Sequence, residues 1–343
     1  MTDQEPPSAT YEELAAIEDA FEEIDTEMIR RQYALSASVY TKRAAVIAKI
    51  PAFWPLVIEQ APQEINQFIQ PKDSRILVEN LTSFELTRPG IAAESAPDNS
   101  GPGENPRSFK LTFEFTANDD FEDTVLEKSF WHRRAKDGWS GLVSEPVDIR
   151  WKKGKDLTEG LTGMASRLFE ARKRTGDFEN RGLQEYTALK KKVEHANGMN
   201  TSFFTWFGWV SSRRYVSAEE SAEAEAKRAE AKGKDKSDGA DPEAPDLEDE
   251  ELADDDQEVE VHEGGEDIAV SFAEDIWPGA IKYFTQAQEQ EDMSDVDFEE
   301  MDDEDDSADD DAPVDIRGLV GASKSNGSRS ASGGAPPSKK RKT

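Results

Sequence analysis

The sequence offers few residues of the types that perform catalysis. Its histidines are His132, His195 and His262, and none has the spacing to carboxylates or to another histidine at which zinc is bound. It has no cysteine, which excludes a cysteine nucleophile, a thiolate metal site and a disulfide framework. The glycine pattern of phosphate-binding loops and the G-x-S-x-G pattern of serine hydrolases are also absent. We therefore expect no catalytic residues, no metal and no cofactor, and a protein that is not an enzyme.

Acidic side chains are in large excess over basic ones. The 343 residues include 74 Asp+Glu against 41 Lys+Arg, which gives a formal net charge of −33. Residues 238–312 alone contain 33 acidic residues and one lysine, Lys282. The spacing of a calcium-binding loop is absent from these runs, so we predict no metal site there. A concentrated anionic segment attracts polycations and repels nucleic acids and anionic membranes, so the expected partner is a basic protein.

The acidic region is interrupted once and then replaced by other compositions. Residues 268–285 (IAVSFAEDIWPGAIKYFT) are too apolar for a solvated segment, which predicts a folded element that returns to the core. After residue 312 a Gly/Ser-rich linker leads to a basic end, PPSKKRKT. Its cluster of Lys339, Lys340, Arg341 and Lys342 is either a nuclear import peptide or an accidental basic end. We favour import, hence a nuclear protein, with shuttling to the cytoplasm left open.

No part of the sequence has the pattern of a secretory signal or of a membrane-spanning segment. The first ten residues, MTDQEPPSAT, lack a basic region followed by an apolar one. No apolar run approaches the ~18 residues that a membrane span needs. The sequence is therefore expected to be soluble and intracellular, without a membrane partner.

The N-terminal region has the pattern of one long amphipathic helix. Thr10 and Glu13 fit a capping box, and the helix can run to about Lys49 before Pro51 ends it. At ~1.5 Å per residue it is roughly 60 Å long, more than a domain of this size buries alone. Its apolar residues recur at heptad-like spacing: Leu14, Ile17, Phe21, Ile24, Met28, Leu35 and Val39.

Two interpretations of this helix are open. Arg31, Ser38 and Lys42 fall on the same stripe, which allows a core helix of a larger bundle. No second long helix of matching register appears in the chain, so we favour a homodimer formed through this helix.

The middle of the chain has strand patterns followed by helix patterns. Four segments predict an antiparallel meander: residues 75–86 (RILVENLTSFEL), 108–116 (SFKLTFEFT), 125–134 (VLEKSFWHRR) and 145–153 (EPVDIRWKK). Helices are predicted at 157–170 and 181–194, which makes the fold class α+β with helices covering one face of a sheet. The aromatic run at 202–210 (SFFTWFGWV) is expected to pack in the core.

A second charge pattern concerns residues 151–200. They contain 11 Lys+Arg against 7 Asp+Glu, which is compatible with weak DNA contact. A solvated helix face is the interpretation that we favour, so at most weak DNA contact is expected.

The order of these segments resembles a known family. KIPAFWPLV after the long helix, then DIRWKKGKDLT, SFFTWF, EDIWPGAIKYF and an acidic tail is similar to the nucleosome assembly protein family, in particular its SET/template-activating factor branch. The resemblance covers most of residues 10–288. It implies a long dimerisation helix joined to an α+β "earmuff" domain with a four-stranded antiparallel sheet. One departure is an insert at 217–266, longer than the loop of other members, whose opening (AEESAEAEAKRAEAKGK) forms a helix or stays disordered.

The resemblance also implies domain boundaries. A disordered N-terminus is expected at 1–10, the dimerisation helix at 11–50 and the earmuff domain with its insert at 51–288. A disordered acidic tail, the linker and the import peptide are expected at 289–343.

The function implied by the resemblance is that of a histone chaperone. A homodimer would bind core histones, the tetramer-forming pair, the dimer-forming pair or both, and hand them to or from DNA. Family members contact histones with the concave underside of the earmuff. The corresponding positions here are Thr205, Glu266, Asp267, Glu274 and Asp275. From the charge of the acidic tail itself we expect histone capture there, with Asp302, Asp303, Glu304, Asp305 and Asp306 as binding residues.

Two alternatives from other classes are open. The resemblance also implies a regulatory subunit that inhibits a phosphatase or supports a histone acetyltransferase. A nonspecific acidic interaction protein would show the same histone affinity in its tail as in the whole chain. Ser294 and Ser307 lie in acidic contexts suited to acid-directed kinases, or are unmodified spacers.

Overall fold

The computed structural model describes residues 11–94, 105–196, 201–234 and 259–298. The predicted long helix is confirmed as α1, Tyr11–Ile47. Its 37 residues correspond to about 55 Å at ~1.5 Å per residue. The proposed capping residue Thr10 lies outside the described residues.

The segment after α1 folds into short helices, and here one strand prediction is wrong. Helices α2 (Phe53–Glu59), α3 (Gln63–Asn66) and α4 (Pro71–Asn80) precede strand β1 (Leu81–Thr87), so only the second half of residues 75–86 is a strand. Pro71 opens α4, and Gln70 and Asp73 form a reciprocal capping box. The Asp73 carboxylate also accepts hydrogen bonds from Ser202 Oγ (2.6 Å) and Phe203 N (2.9 Å). The helix is therefore fixed by a partner far along the chain.

The predicted four-stranded antiparallel meander is confirmed, in the order β1-β2-β3-β4. A short helix, α5 (Pro89–Glu94), separates β1 from β2. Strands β2 (Phe109–Phe115) and β3 (Val125–Arg134) fall on the predicted segments, and Phe113 pairs with Phe84 on one side and Leu126 on the other.

The fourth strand lies earlier than predicted. It is β4, Ser140–Ser144, whereas residues 145–153 contribute only an isolated bridge between Trp151 and Phe121. Gly138, with φ 91°, permits a tight hairpin turn that pairs the residues directly after it with β3. The 145–153 segment instead hydrogen-bonds to the aromatic run, through Val147 N to Phe207 O at 2.8 Å.

Two helices follow the sheet and start slightly later than predicted. They are α6 (Leu161–Thr175) and α7 (Gln184–Ala196), which pack on each other. Gly160 and Gly176, both with positive φ, flank α6.

The aromatic run is a 3₁₀ helix, Phe203–Gly208, that lies in the core as predicted. Phe113 at the centre of the sheet contacts Phe84 (ring centroids 4.7 Å apart), Phe207 (5.7 Å) and Phe272 (5.7 Å). Such pairs add about 0.5–1.5 kcal/mol each beyond the burial of their area. The sheet, the 3₁₀ helix and the C-terminal helices are therefore one core.

A buried lysine joins the sheet to the 3₁₀ helix. Lys128 on β3 points into the core, and its Nζ lies within hydrogen-bond distance of three carbonyls: Glu145 O (3.2 Å), Phe207 O (3.0 Å) and Trp209 O (2.8 Å). Burial lowers the pKa of Lys128 well below its ordinary value. Phe207 O also accepts from Val147 N, so the Lys128 side chain and the 145–153 segment meet at the same carbonyl of the 3₁₀ helix.

The apolar segment at 268–285 returns to the core as predicted. Helix α8 (Ala218–Lys234) lies at the start of the insert, and α9 (Gly265–Ser271) begins at its end. One π-helical turn (Phe272–Ile276) then leads to α10 (Ala280–Phe298). Ile268, Phe272 and Ile276 are buried in the core. Within the described residues, none of these helices is long and apolar enough to cross a membrane.

We predict that Gly265→Ala destabilises the fold by about 2 kcal/mol, because a methyl group there overlaps the Trp209 ring. Gly265 O also accepts a hydrogen bond from Trp206 Nε1 at 2.9 Å, so the backbone has little room to move. The free energy of unfolding from a urea titration measures the effect. Gly163→Ala on α6 is the control, since its nearest neighbours are side-chain ends at 3.3–3.4 Å. Equal stability of the two variants would contradict the packing described for Gly265.

Candidate functional site

The most exposed apolar surface of the described chain is one face of α1. The side chains predicted to form a dimer are between 54% and 79% exposed in the single chain: Leu14, Ile17, Phe21, Ile24, Met28, Leu35 and Val39. Val46 continues the row at 58% and was missed by the sequence analysis. Although Arg31 and Lys42 interrupt it, an exposed apolar row of this length is typical of a docking face.

The other face of α1 is joined to the core by Arg43. Its guanidinium donates to Trp277 O (2.5 Å) and Pro278 O (3.3 Å), and its Cζ lies 4.6 Å from the Tyr40 ring centroid and 4.5 Å from that of Trp277. Burial lowers the pKa of Arg43, but a guanidinium stays charged at any physiological pH. The C-terminal third of α1 is therefore held against the turn between α9 and α10.

Four predicted binding carboxylates lie on α9 and the π-helical turn. Glu274 and Asp275 are neighbours on that turn and both are exposed. Asp275 accepts a hydrogen bond from Tyr283 Oη at 2.5 Å; burial, that bond and the Asp275 charge raise the pKa of Tyr283 to about 12. Asp267 is exposed at the start of α9. The Glu266 carboxylate already accepts hydrogen bonds within the chain, from Leu142 N (3.2 Å) and Ser212 Oγ (3.1 Å).

The fifth predicted residue, Thr205, is not at the surface. It is 1% exposed inside the 3₁₀ helix, and its hydroxyl has no hydrogen-bond partner among the described residues. The aromatic side chains on both sides of it draw the whole segment into the core. Its side chain therefore cannot contact a partner together with the four carboxylates.

Several predicted residues lie outside the described part of the chain. These are the tail acids (Asp302, Asp303, Glu304, Asp305 and Asp306), the import cluster (Lys339, Lys340, Arg341 and Lys342) and Ser307. Ser294 lies on α10.

Cations of the basic segment at 151–200 are engaged with acids of the same chain. Lys192 pairs with Glu159 at 2.7 Å, and Lys173 approaches Glu145 at 3.7 Å. Such pairing on solvent-facing helices favours the interpretation of a solvated helix face.

The comparison with known families decides the identity of the fold. The sequence model of the nucleosome assembly protein (NAP) family matches residues 8–287. This chain belongs to the nucleosome assembly protein family.

Individual relatives of this NAP-family chain are distant. A Schizosaccharomyces pombe protein described as a nucleosome assembly protein is 29% identical over 181 residues, 50% of this chain and 68% of that protein. NAP1-related protein 1 of Arabidopsis thaliana is 30% identical over 160 residues, 44% of this chain and just over half (55%) of that protein. The crystal structure of the Vps75 histone chaperone covers 80% of this chain and 97% of its own, at 21% identity and a TM-score of 0.46.

The histidines of the NAP-family chain do not assemble into a metal or acid–base site. No group of three or more metal-binding side chains occurs in the ranges that the structure describes. His262, near the end of the insert, packs against Phe68 with the rings tilted by 57° and their centroids 4.4 Å apart, and its Nε2 is buried without a partner among the described residues. Burial lowers the pKa of His262 to about 4, and burial with the charge of Arg107 lowers that of His132 to about 4. Both rings are therefore neutral at pH 7.

We predict a specific pH dependence of stability from His262. Because its folded pKa of about 4 lies below the ordinary 6.5, the unfolded chain binds more protons between these values. The buried neutral ring therefore makes no pH-dependent difference to the free energy of unfolding above about pH 6.5. As the pH falls from there towards 4, the free energy of unfolding decreases by roughly 3 kcal/mol because of this group. Urea titrations at pH 7 and pH 5 should show a smaller loss for His262→Phe than for the wild type.

The control is His195→Phe, since His195 is exposed on α7. This substitution should leave the difference between pH 7 and pH 5 unchanged. An identical loss in wild type and His262→Phe would show that His262 is not buried in its neutral form.

Proposed function

We propose that this chain is a histone chaperone that acts as a homodimer. The observation that carries the proposal is the concentration of 33 acidic residues at 238–312, on both sides of a folded return to the core of a NAP-family fold. A basic protein that must be kept from collapsing onto DNA is the partner that such a distribution suits. Core histones are partners of this kind.

The dimer part of the proposal is supported by α1. A helix of 37 residues with one face on its own core and a row of exposed apolar side chains on the other needs a second copy to cover that row. Heptad spacing favours helix-to-helix packing with an identical stripe. Two copies then place two acidic regions around one histone complex.

The mechanism combines capture with positioning. The acidic segments attract histones at long range, and two of them per dimer raise the effective concentration of carboxylates around a bound pair. Exposed carboxylates on the folded part, Asp267, Glu274 and Asp275, add fixed contacts. DNA phosphates compete for the same cations, so histones pass to DNA when both are present. The transfer needs neither ATP nor a cofactor, and the basic end directs the protein to the nucleus.

The dimer is tested by two lysines on the apolar stripe. Phe21→Lys with Leu35→Lys should give one chain by light scattering, against twice the 38.2 kDa chain mass for the wild type, because each lysine would be buried opposite another. Ala20→Lys with Ala34→Lys places the same charges on a neighbouring, exposed face and should leave two chains. A two-chain mass for the first variant would exclude this stripe as the interface.

Histone recognition is tested by removing the tail. Affinities for the tetramer-forming and dimer-forming pairs are measured at physiological salt for the full chain and for a chain ending at Phe298, the last described residue. We expect the shorter chain to bind at least one pair in the submicromolar range, about −8 kcal/mol or stronger. If binding vanishes, the tail alone binds histones and the proposed role of the folded part is wrong.

A charge-matched pair of variants locates the contact on the folded part. In the chain ending at Phe298, Asp267→Asn with Glu274→Gln should weaken histone binding by about fivefold, roughly 1 kcal/mol. Glu114→Gln with Asp119→Asn removes the same charge from exposed positions elsewhere and should have a smaller effect. Equal effects would show that only net charge matters.

A further inference from the structure

The face of α1 that packs against the α+β body is aromatic and aliphatic at its C-terminal end and acidic at its N-terminal end. Members of this face recur every three or four residues: Asp19, Glu22, Thr26, Ile29, Tyr33, Ser36, Tyr40, Arg43 and Ile47. At the C-terminal end Tyr40 and Ile47 pack on the core and Arg43 binds backbone there. At the N-terminal end the residues of this face are the two acids Asp19 and Glu22. Aromatic and aliphatic packing therefore holds only one end of the helix.

The acidic end of this face is met by α8, the first part of the insert. Three α8 side chains on one helical face make the contacts. Ser221 Oγ accepts from Arg134 N (3.1 Å), Glu225 pairs with Arg134 Nε (3.0 Å), and Arg228 pairs with both Asp19 and Glu22. Helix α8 therefore crosses the end of β3 and reaches α1.

Glu22 is the centre of this contact. It receives Arg228 at 2.8 Å, Arg107 at 3.2 Å and Arg134 at 3.5 Å. Burial alone would raise the pKa of Glu22, but the hydrogen bond from Arg228 and the three positive charges lower it overall. The side chains of Asp19, Glu22 and Arg228 are 26–27% exposed, so solvent screens this group less than ion pairs in open water.

We propose that α8 is a brace that fixes the direction of α1 relative to the α+β body through Arg228. From Arg43, the firmly packed point, to Ala16 the helix extends about 40 Å, so a rotation of about 10° displaces its N-terminal end by about 7 Å. Without Arg228, Asp19 loses its partner from the insert, and Glu22 keeps two of its three arginine partners. If the proposed homodimer forms through α1, the brace also sets the separation of the two bodies and thus the space for a histone complex.

The test measures one distance within one chain. Because the sequence has no cysteine, Ala16→Cys on α1 and Asp119→Cys on the body accept a pair of spin labels at exposed positions. Each labelled full-length chain is mixed with excess unlabelled chain, so that a dimer contains one labelled copy. Pulsed electron resonance then gives the distance distribution between α1 and the body.

Arg228→Glu should broaden the distribution and shift its mean by several ångströms. Lys227→Glu makes the same charge change one residue earlier, on the exposed side of α8, and should match the wild type. The exchange of partners, Asp19→Arg with Arg228→Asp, should narrow the distribution again, though not completely, because the new carboxylate on α8 also lies beside Glu22. About 1 M salt, where the screening length is about 3 Å, should broaden the wild type towards Arg228→Glu.

Two results would overturn the brace. One is a distribution for Arg228→Glu that equals that of Lys227→Glu. The other is a broadened distribution that the partner exchange does not narrow, which would mean that the substitution disturbs α8 itself and not an ion pair. A separate light-scattering mass reports whether the dimer forms, so failure of the proposed dimer and failure of the brace are read independently.

Discussion

The packing of the aromatic 3₁₀ helix against Phe113 is the contact on which the rest of the fold depends. It covers the inner face of the sheet, and its flanking atoms fix other elements: Ser202 binds the start of α4, and Trp206 binds the backbone of Gly265 at the start of α9. Lys128 ties the same segment to β3. Sheet, N-terminal helices and C-terminal helices are joined through residues 202–209.

This core also determines where the long helix and the charges lie. The return through α9 presents Trp277 to Arg43, and that contact attaches α1 to the body while its apolar row faces outward. Along the sequence, acidic residues lie on both sides of this return. The chain therefore combines a folded body, an exposed apolar stripe on α1 and a sequence region of concentrated negative charge, which are the three properties that the proposed histone chaperone uses.

Helices and strands that depend on the local residue pattern were predictable from the sequence. Elements and contacts that depend on residues far apart in the sequence were not. The heptad row gave α1, and strict alternation gave β2. Ile76 and Leu77 suggested a strand. The capping box and the hydrogen bonds that Asp73 accepts from residues 202–203 instead stabilise a helix there. Alignment with the family placed Thr205 at a surface, yet its aromatic neighbours bury it. The contacts of Arg43 and Arg228 join residues more than 200 positions apart and leave no local signal.

The most direct test of the chaperone account is whether the purified full chain, alone, prevents core histones and DNA from precipitating together at physiological salt while still letting histones reach the DNA. Turbidity and the histone content of soluble DNA complexes are measured as the protein is added. The account predicts that turbidity disappears near one dimer per histone complex and that soluble histone–DNA complexes appear. Unchanged precipitation, or histones that stay on the protein and never reach DNA, would contradict it.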